Sequence, residues 1–81
     1  MNARTREIAR AVDSIKPYLR GRSPVVQGAV IADLLAIWLA GHQVEGSTEA
    51  TRKLRADMLA AHVAMVEELV AINAKILGMT A

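Results

Sequence analysis

The chain has 81 residues, ten basic and eight acidic side chains, a net charge of +2 and no cysteine. A domain this small buries little of its surface, so it commonly needs disulfides, a metal or a partner subunit for stability. The absence of cysteine excludes disulfides and thiolate metal sites, and two histidines leave few other ligands, so no metal or cofactor is expected. Hydrophobic residues make up 53% of the chain with almost no aromatics, which favours packed helices and stabilisation by oligomerisation.

The first helix is predicted over residues 4–20. Its apolar side chains recur at steps of four, three and four, which places them on one face. They are Ile8, Val12, Ile15 and Leu19. Pro17 cannot donate a hydrogen bond to the carbonyl of Asp13, so we expect a kink near residue 16. Because Leu19 continues the apolar face, the helix should bend there rather than end.

The second helix is predicted over residues 24–40, and it is apolar on nearly every side. Ser23 before Pro24 is a strong helix start, because the hydroxyl can cap an unpaired amide and proline suits the first helical position. Gly41 is expected to end the helix in the left-handed conformation. Asp33 is the only charge in this segment. A helix without a polar face is typical of a buried helix, and two neighbours from one chain are too few to bury it.

The third helix is predicted over residues 48–77, capped by Ser47 or Thr48. It would be about 45 Å long, against about 25 Å for the second helix. Two neighbouring apolar stripes cover about half its circumference, more than the roughly 100° of an ordinary surface helix. The first is Leu54, Met58, Ala61, Met65, Leu69, Ile72 and Ile76; the second is Leu59, Val63, Val66, Val70 and Leu77. One stripe can face its own chain and the other a partner.

These patterns predict an all-α fold: a three-helix bundle with a short apolar central helix and a long C-terminal helix. We expect a single domain over residues 1–81, assembled as a homo-oligomer with a dimer favoured. The predicted interface residues are Val30, Leu34, Ile37, Trp38, Met58, Met65, Leu69 and Ile72. The alternative is a monomeric bundle, since scattered exposed apolar side chains are normal on soluble proteins.

A few polar side chains fall on otherwise apolar faces. They are Asp33 on the second helix and Arg55, His62 and Asn73 between the stripes of the third. Buried polar groups need partners, so we expect these residues to fix helix register across a subunit interface, with Asp33 paired to an arginine or to His62. The alternative is a functional line of proton-handling or ligand-binding groups. It is disfavoured because no nucleophile or second base accompanies them at a usable spacing.

The basic side chains concentrate near the beginning of the chain. Residues 1–22 carry a balance of +4 and the remainder −2. The candidate contacts for an anion or a nucleic acid are Arg4, Arg6, Arg10, Arg20 and Arg22. Against this function, the interspersed acids indicate an ordinary solvated face, and the second helix is too apolar to read a DNA groove. Nucleic-acid binding is therefore an option but not the favoured one.

The leading hypothesis is a non-enzymatic assembly or adaptor module that acts as a homo-oligomer, with another protein as an optional partner. The alternatives are a small nucleic-acid-binding regulator that uses the basic first helix, and a small enzyme with an arginine-lined pocket for an anion. The common metal, phosphate-loop and nucleophile motifs are missing, so no catalytic residue is assigned. Residues 24–40 are short for a bilayer and Asp33 would cost about 3 kcal/mol to insert, so we expect no membrane span. No apolar run follows the arginines near the beginning of the chain, so no secretory signal peptide is predicted and we expect a cytoplasmic location.

Overall fold

The computed structural model describes residues 2–80, and it is all-helical. Three helices, α1 (Ala3–Leu19), α2 (Pro24–Ala40) and α3 (Thr48–Ile76), account for 80% of the structure, and no strand occurs between residues 2 and 80. The predicted all-α class is confirmed, and the three predicted helices agree with the observed ones to within one residue at each end.

Each helix begins at a side chain that caps an unpaired backbone amide. The Oδ1 atom of Asn2 accepts from the N–H of Thr5 at 2.8 Å, a cap that is not predicted from the sequence. Ser23 Oγ accepts from the backbone of α2 at 3.3 Å, and Ser47 Oγ accepts from the backbone of α3 at 3.1 Å. Ser47 rather than Thr48 therefore caps α3.

The helix ends differ in one respect from the prediction. Gly21 and Gly78, beyond the ends of α1 and α3, have φ values of +81° and +74°, which glycine adopts without strain. Gly41 is not in this region, and the prediction that it ends α2 in the left-handed conformation is wrong. Its N–H instead donates to the carbonyl of Ile37 at 3.0 Å, which prolongs the helical pattern by one bond. The last carbonyls of α2 are bound by side chains.

The chain divides into two compact units within α2, at Leu34 and Leu35. In the first unit, α1 is a continuous helix through Pro17. The side-chain amide of Gln27 donates to the carbonyl of Leu19 at 2.9 Å. Among residues 2–34, only Leu19 and Gln27 are half-buried. The apolar face of α1 is therefore exposed along most of its length.

In the second unit, the last turns of α2 lie against the first half of α3. The half-buried residues there come from both helices and their connection: Leu35, Leu39, His42, Ser47, Ala50, Thr51, Leu54, Arg55, Met58 and His62. The small Ala74 is also half-buried. No residue between positions 2 and 80, in either unit, is fully buried.

Candidate functional site

Arg55 on α3 binds the end of α2. Its Nε donates to the carbonyls of Leu39 at 3.2 Å and His42 at 3.0 Å, and its Nη2 donates to the carbonyl of Ala40 at 2.9 Å. The last turn of a helix leaves its carbonyls without hydrogen-bond donors and carries a partial negative charge. A guanidinium there supplies the donors and a compensating positive charge. Arg55, predicted as a buried polar residue, is half-buried and serves as the cap of α2.

An aromatic cluster lies beside this cap. The Trp38 ring lies 5.4 Å from the His42 ring in an edge-to-face arrangement, and 5.5 Å from the His62 ring at 45°. The Nδ1 of His42 donates to the carbonyl of Trp38 at 2.6 Å. Within residues 2–80 neither imidazole bonds to a carboxylate or a hydroxyl, so both lack the partner that orients a catalytic histidine. The arrangement stabilises packing at the end of α2.

Thr51 ties the loop after α2 to α3. Its Oγ1 accepts a hydrogen bond from the N–H of Val44 at 3.0 Å. The hydroxyl proton has two acceptors within reach, the carbonyl of Ser47 at 2.8 Å and the carbonyl of Val44 at 3.1 Å. One hydroxyl thus links the amide of Val44 in the loop to the beginning of α3. Sequence patterns do not predict this contact, because the loop has no regular period that indicates where its backbone lies.

Replacing Thr51 by valine should lower the free energy of unfolding by about 0.5–1.5 kcal/mol, because the amide of Val44 exchanges its side-chain acceptor for water while the side-chain volume is kept. Urea unfolding at a fixed protein concentration measures the effect. Thr48→Val is the matched control, since the Thr48 hydroxyl makes no hydrogen bond within residues 2–80. Equal effects of the two substitutions would contradict the assigned role of Thr51.

A cavity of about 640 Å³ opens at the beginning of α3. It is lined by Gln43, Val44, Glu45, Gly46, Ser47, Thr48, Thr51, Arg52 and Arg55. Two arginines at a helix N-terminus would suit an anion. However, Arg52 is 3.2 Å from Glu49, and Arg55 is committed to the carbonyls of α2. Because these cations already have partners, the cavity is a cleft of the loop and has no donor set reserved for an anionic ligand.

Seven of the eight predicted interface residues are exposed, and Met58 alone is half-buried. The exposed fractions are 54% for Leu34 on α2 and 56% for both Met65 and Ile72 on α3. These side chains are therefore free to contact another molecule. Their role as an oligomer interface stays a prediction.

Of the predicted polar residues, Asp33 and Asn73 are exposed, unlike Arg55 and His62. The Nδ2 of Asn73 donates to the carbonyl of Leu69 in its own helix at 2.8 Å. The ion pairs among residues 2–80 are local: Lys16–Asp13, Arg52–Glu49 and Lys53–Asp57. The predicted pairing of Asp33 with an arginine or His62 is not among them, and it stays a prediction.

The five arginines predicted to contact anions lie in and after α1, and all are exposed. The Nε of Arg22 donates to the carbonyl of Tyr18 at 2.7 Å, which holds the turn after the helix. No group of three or more potential metal ligands occurs within residues 2–80. No helix in this range combines the length and the apolar character needed to cross a bilayer.

The comparisons with known proteins do not link this geometry to a family. No protein-family model matches the chain, and neither do the curated proteins or the solved structures with which it was compared.

Proposed function

We propose that this chain is a non-enzymatic, homo-oligomeric assembly module whose hydrophobic core is completed by a second copy. The observation that carries the proposal is that no residue between positions 2 and 80 is buried, although 53% of the chain is hydrophobic. Burial of apolar surface is the dominant favourable contribution to folding, so a stable helical protein requires it somewhere. Contacts between copies supply what one copy lacks.

The exposed apolar side chains are large. Leu34 is 54% exposed, and Met65 and Ile72 are each 56% exposed. Interfaces of obligate homo-oligomers bury apolar side chains of this kind and resemble a divided domain core.

The distribution of the exposed side chains favours a copy of the same chain as partner. Exposed apolar residues occur on α2 and on α3. In a two-fold symmetric interface each copy contributes the same surface, so the apolar residues of one copy meet the apolar residues of the other.

Light scattering should give a mass of about 17 kDa or more, at least twice the chain mass of 8.7 kDa. Leu34→Lys should weaken association at least tenfold, about 1.4 kcal/mol, because a charge would enter the apolar contact. Leu34 is 54% exposed, so the lysine is tolerated within one chain and the substitution reports on association.

Gln43→Lys is the matched control for this experiment, since it adds the same charge at an exposed loop position. It should leave the mass unchanged. A helical wild-type protein that stays at 8.7 kDa at all concentrations would refute the proposed assembly.

A further inference from the structure

One line of side chains runs along the whole of α3 with alternating steps of four and three residues. Its first half, here called the proximal strip, is Thr51, Arg55, Met58 and His62. Its second half, the distal strip, is Met65, Leu69, Ile72 and Ile76. A spacing that averages 3.5 residues is the pattern of a helix that packs along its length against another helix.

The two halves of this line differ in exposure. All four residues of the proximal strip are half-buried, where the end of α2 and the following loop lie against α3. In the distal strip the exposed fractions are 56% for Met65, 45% for Leu69, 56% for Ile72 and 74% for Ile76. The packing pattern of α3 thus continues for about 16 Å of helix beyond the residues that contact α2 and the loop within their own unit.

We propose that the distal strip packs against the distal strip of a second copy in the antiparallel direction. The inference rests on the proposed self-association and adds, for the part of the interface formed by α3, its direction and register. In this register Met65 lies opposite Ile76 of the second copy, and Leu69 lies opposite Ile72. The two-fold axis passes between these layers, so each side chain meets an apolar partner from the other copy.

The charges beside the distal strip select the antiparallel direction. Glu68 and Lys75 each precede a strip residue by one position, so they lie on the same side of the strip, seven residues apart. In the antiparallel register, Glu68 of each copy faces Lys75 of the other, which gives two symmetric ion pairs. A parallel, in-register pair would instead place Glu68 beside Asn73 and form no charge pair.

Both charged groups are available for this contact. Glu68 and Lys75 are exposed, and neither takes part in the ion pairs formed within residues 2–80. Exposed ion pairs contribute little free energy, so the apolar strip supplies the affinity and the two pairs set the direction.

Single-cysteine variants test the register, because the chain has no cysteine of its own. Met65→Cys and Ile76→Cys proteins, one with a mass tag, are mixed in equal amounts and cross-linked with a short bismaleimide. The expected product is almost entirely the mixed dimer, since residues 65 and 76 of different copies are opposite each other. Efficient cross-linking of either variant to itself would overturn the antiparallel register.

The apolar face of α1 is the competing occupant, because its four residues repeat the spacing of the distal strip. Val12→Cys and Ile72→Cys proteins are therefore mixed and cross-linked in the same way. Little mixed product is expected. A yield matching that of the first pair would show that α1 of one copy covers the distal strip of another, and the proposal would fall.

Charge reversal gives a second test with an adjacent control. Glu68→Lys should weaken association several-fold, because the introduced ammonium of each copy would face Lys75 of the other. Adding Lys75→Glu should restore the wild-type affinity. Glu67→Lys makes the same charge change on the opposite side of the helix and should have little effect. If Glu68→Lys and Glu67→Lys weakened association equally, the register would be refuted but the proposed function would stand. A monomeric wild type would refute both the register and the proposed function.

Discussion

Replacing Arg55 by methionine should lower the free energy of unfolding by about 2–3 kcal/mol, a large fraction of what a chain of this size has. Methionine keeps much of the apolar stem but removes the donors that bind the carbonyls of Leu39, Ala40 and His42. It also removes the positive charge at the negative end of α2. Urea unfolding followed by circular dichroism, at one protein concentration, measures the change.

Arg52→Met provides the control for this substitution. Arg52 lies on the same helix, but within residues 2–80 its guanidinium binds only the exposed carboxylate of Glu49, so about 0.5 kcal/mol or less is expected. Arg55→Lys should recover only part of the stability, because an ammonium restores the charge but not the fork of donors that reaches several carbonyls. If Arg55→Met and Arg52→Met had equal effects, Arg55 would not be the cap of α2.

The helices can be predicted from the sequence because their signals are local. Ser23 and Ser47 cap amides only three residues away, and the apolar periods extend over whole helices. The cap at Asn2 is not identified because the predicted first helix begins at residue 4, one residue too late. The prediction for Gly41 rests on residue type alone, whereas α2 is ended by contacts from residues that follow it in the chain.

The role of Arg55 shows where prediction from the sequence fails. A helical wheel places Arg55 near His62 and Asn73, and that position predicts a buried polar residue. Its actual partners are backbone carbonyls 13 to 16 residues earlier in the chain, which no periodic pattern identifies. Asn73 lies on the same side of α3, but it is exposed because nothing in its own unit covers that end of the helix.

The apolar faces are predictable, but the identity of what covers them is not. The period of α3 indicates which side of the helix packs, whereas only the structure shows that the half-buried part of this line ends at His62. The grouping also changes: His62 and Arg55 belong to the same line as Met58 and Met65, and not to a separate polar line between two stripes. This regrouping separates the residues that contact their own chain from those that remain exposed.

A chain without buried residues between positions 2 and 80 should owe its stability to its neighbours, and this has a direct thermal consequence. For a dimer that folds and associates in one step, a tenfold increase in concentration adds about 1.4 kcal/mol to the stability of each dimer. Unfolding entropy is about 2.1 cal/mol/K per residue, or about 340 cal/mol/K for two chains. The melting temperature should therefore rise by about 4 °C for each tenfold increase in concentration.

Scanning calorimetry and circular dichroism over a hundredfold concentration range would measure this slope, with about 8 °C expected in total by the same relation. Gln43→Lys should keep the slope, since it changes the charge of the exposed loop without touching an apolar face. Leu34→Lys should melt at a lower temperature at every concentration, because the charge weakens the association on which folding depends. A wild-type melting temperature that did not move with concentration would mean that the isolated chain is stable with its apolar faces in water, which the hydrophobic effect argues against.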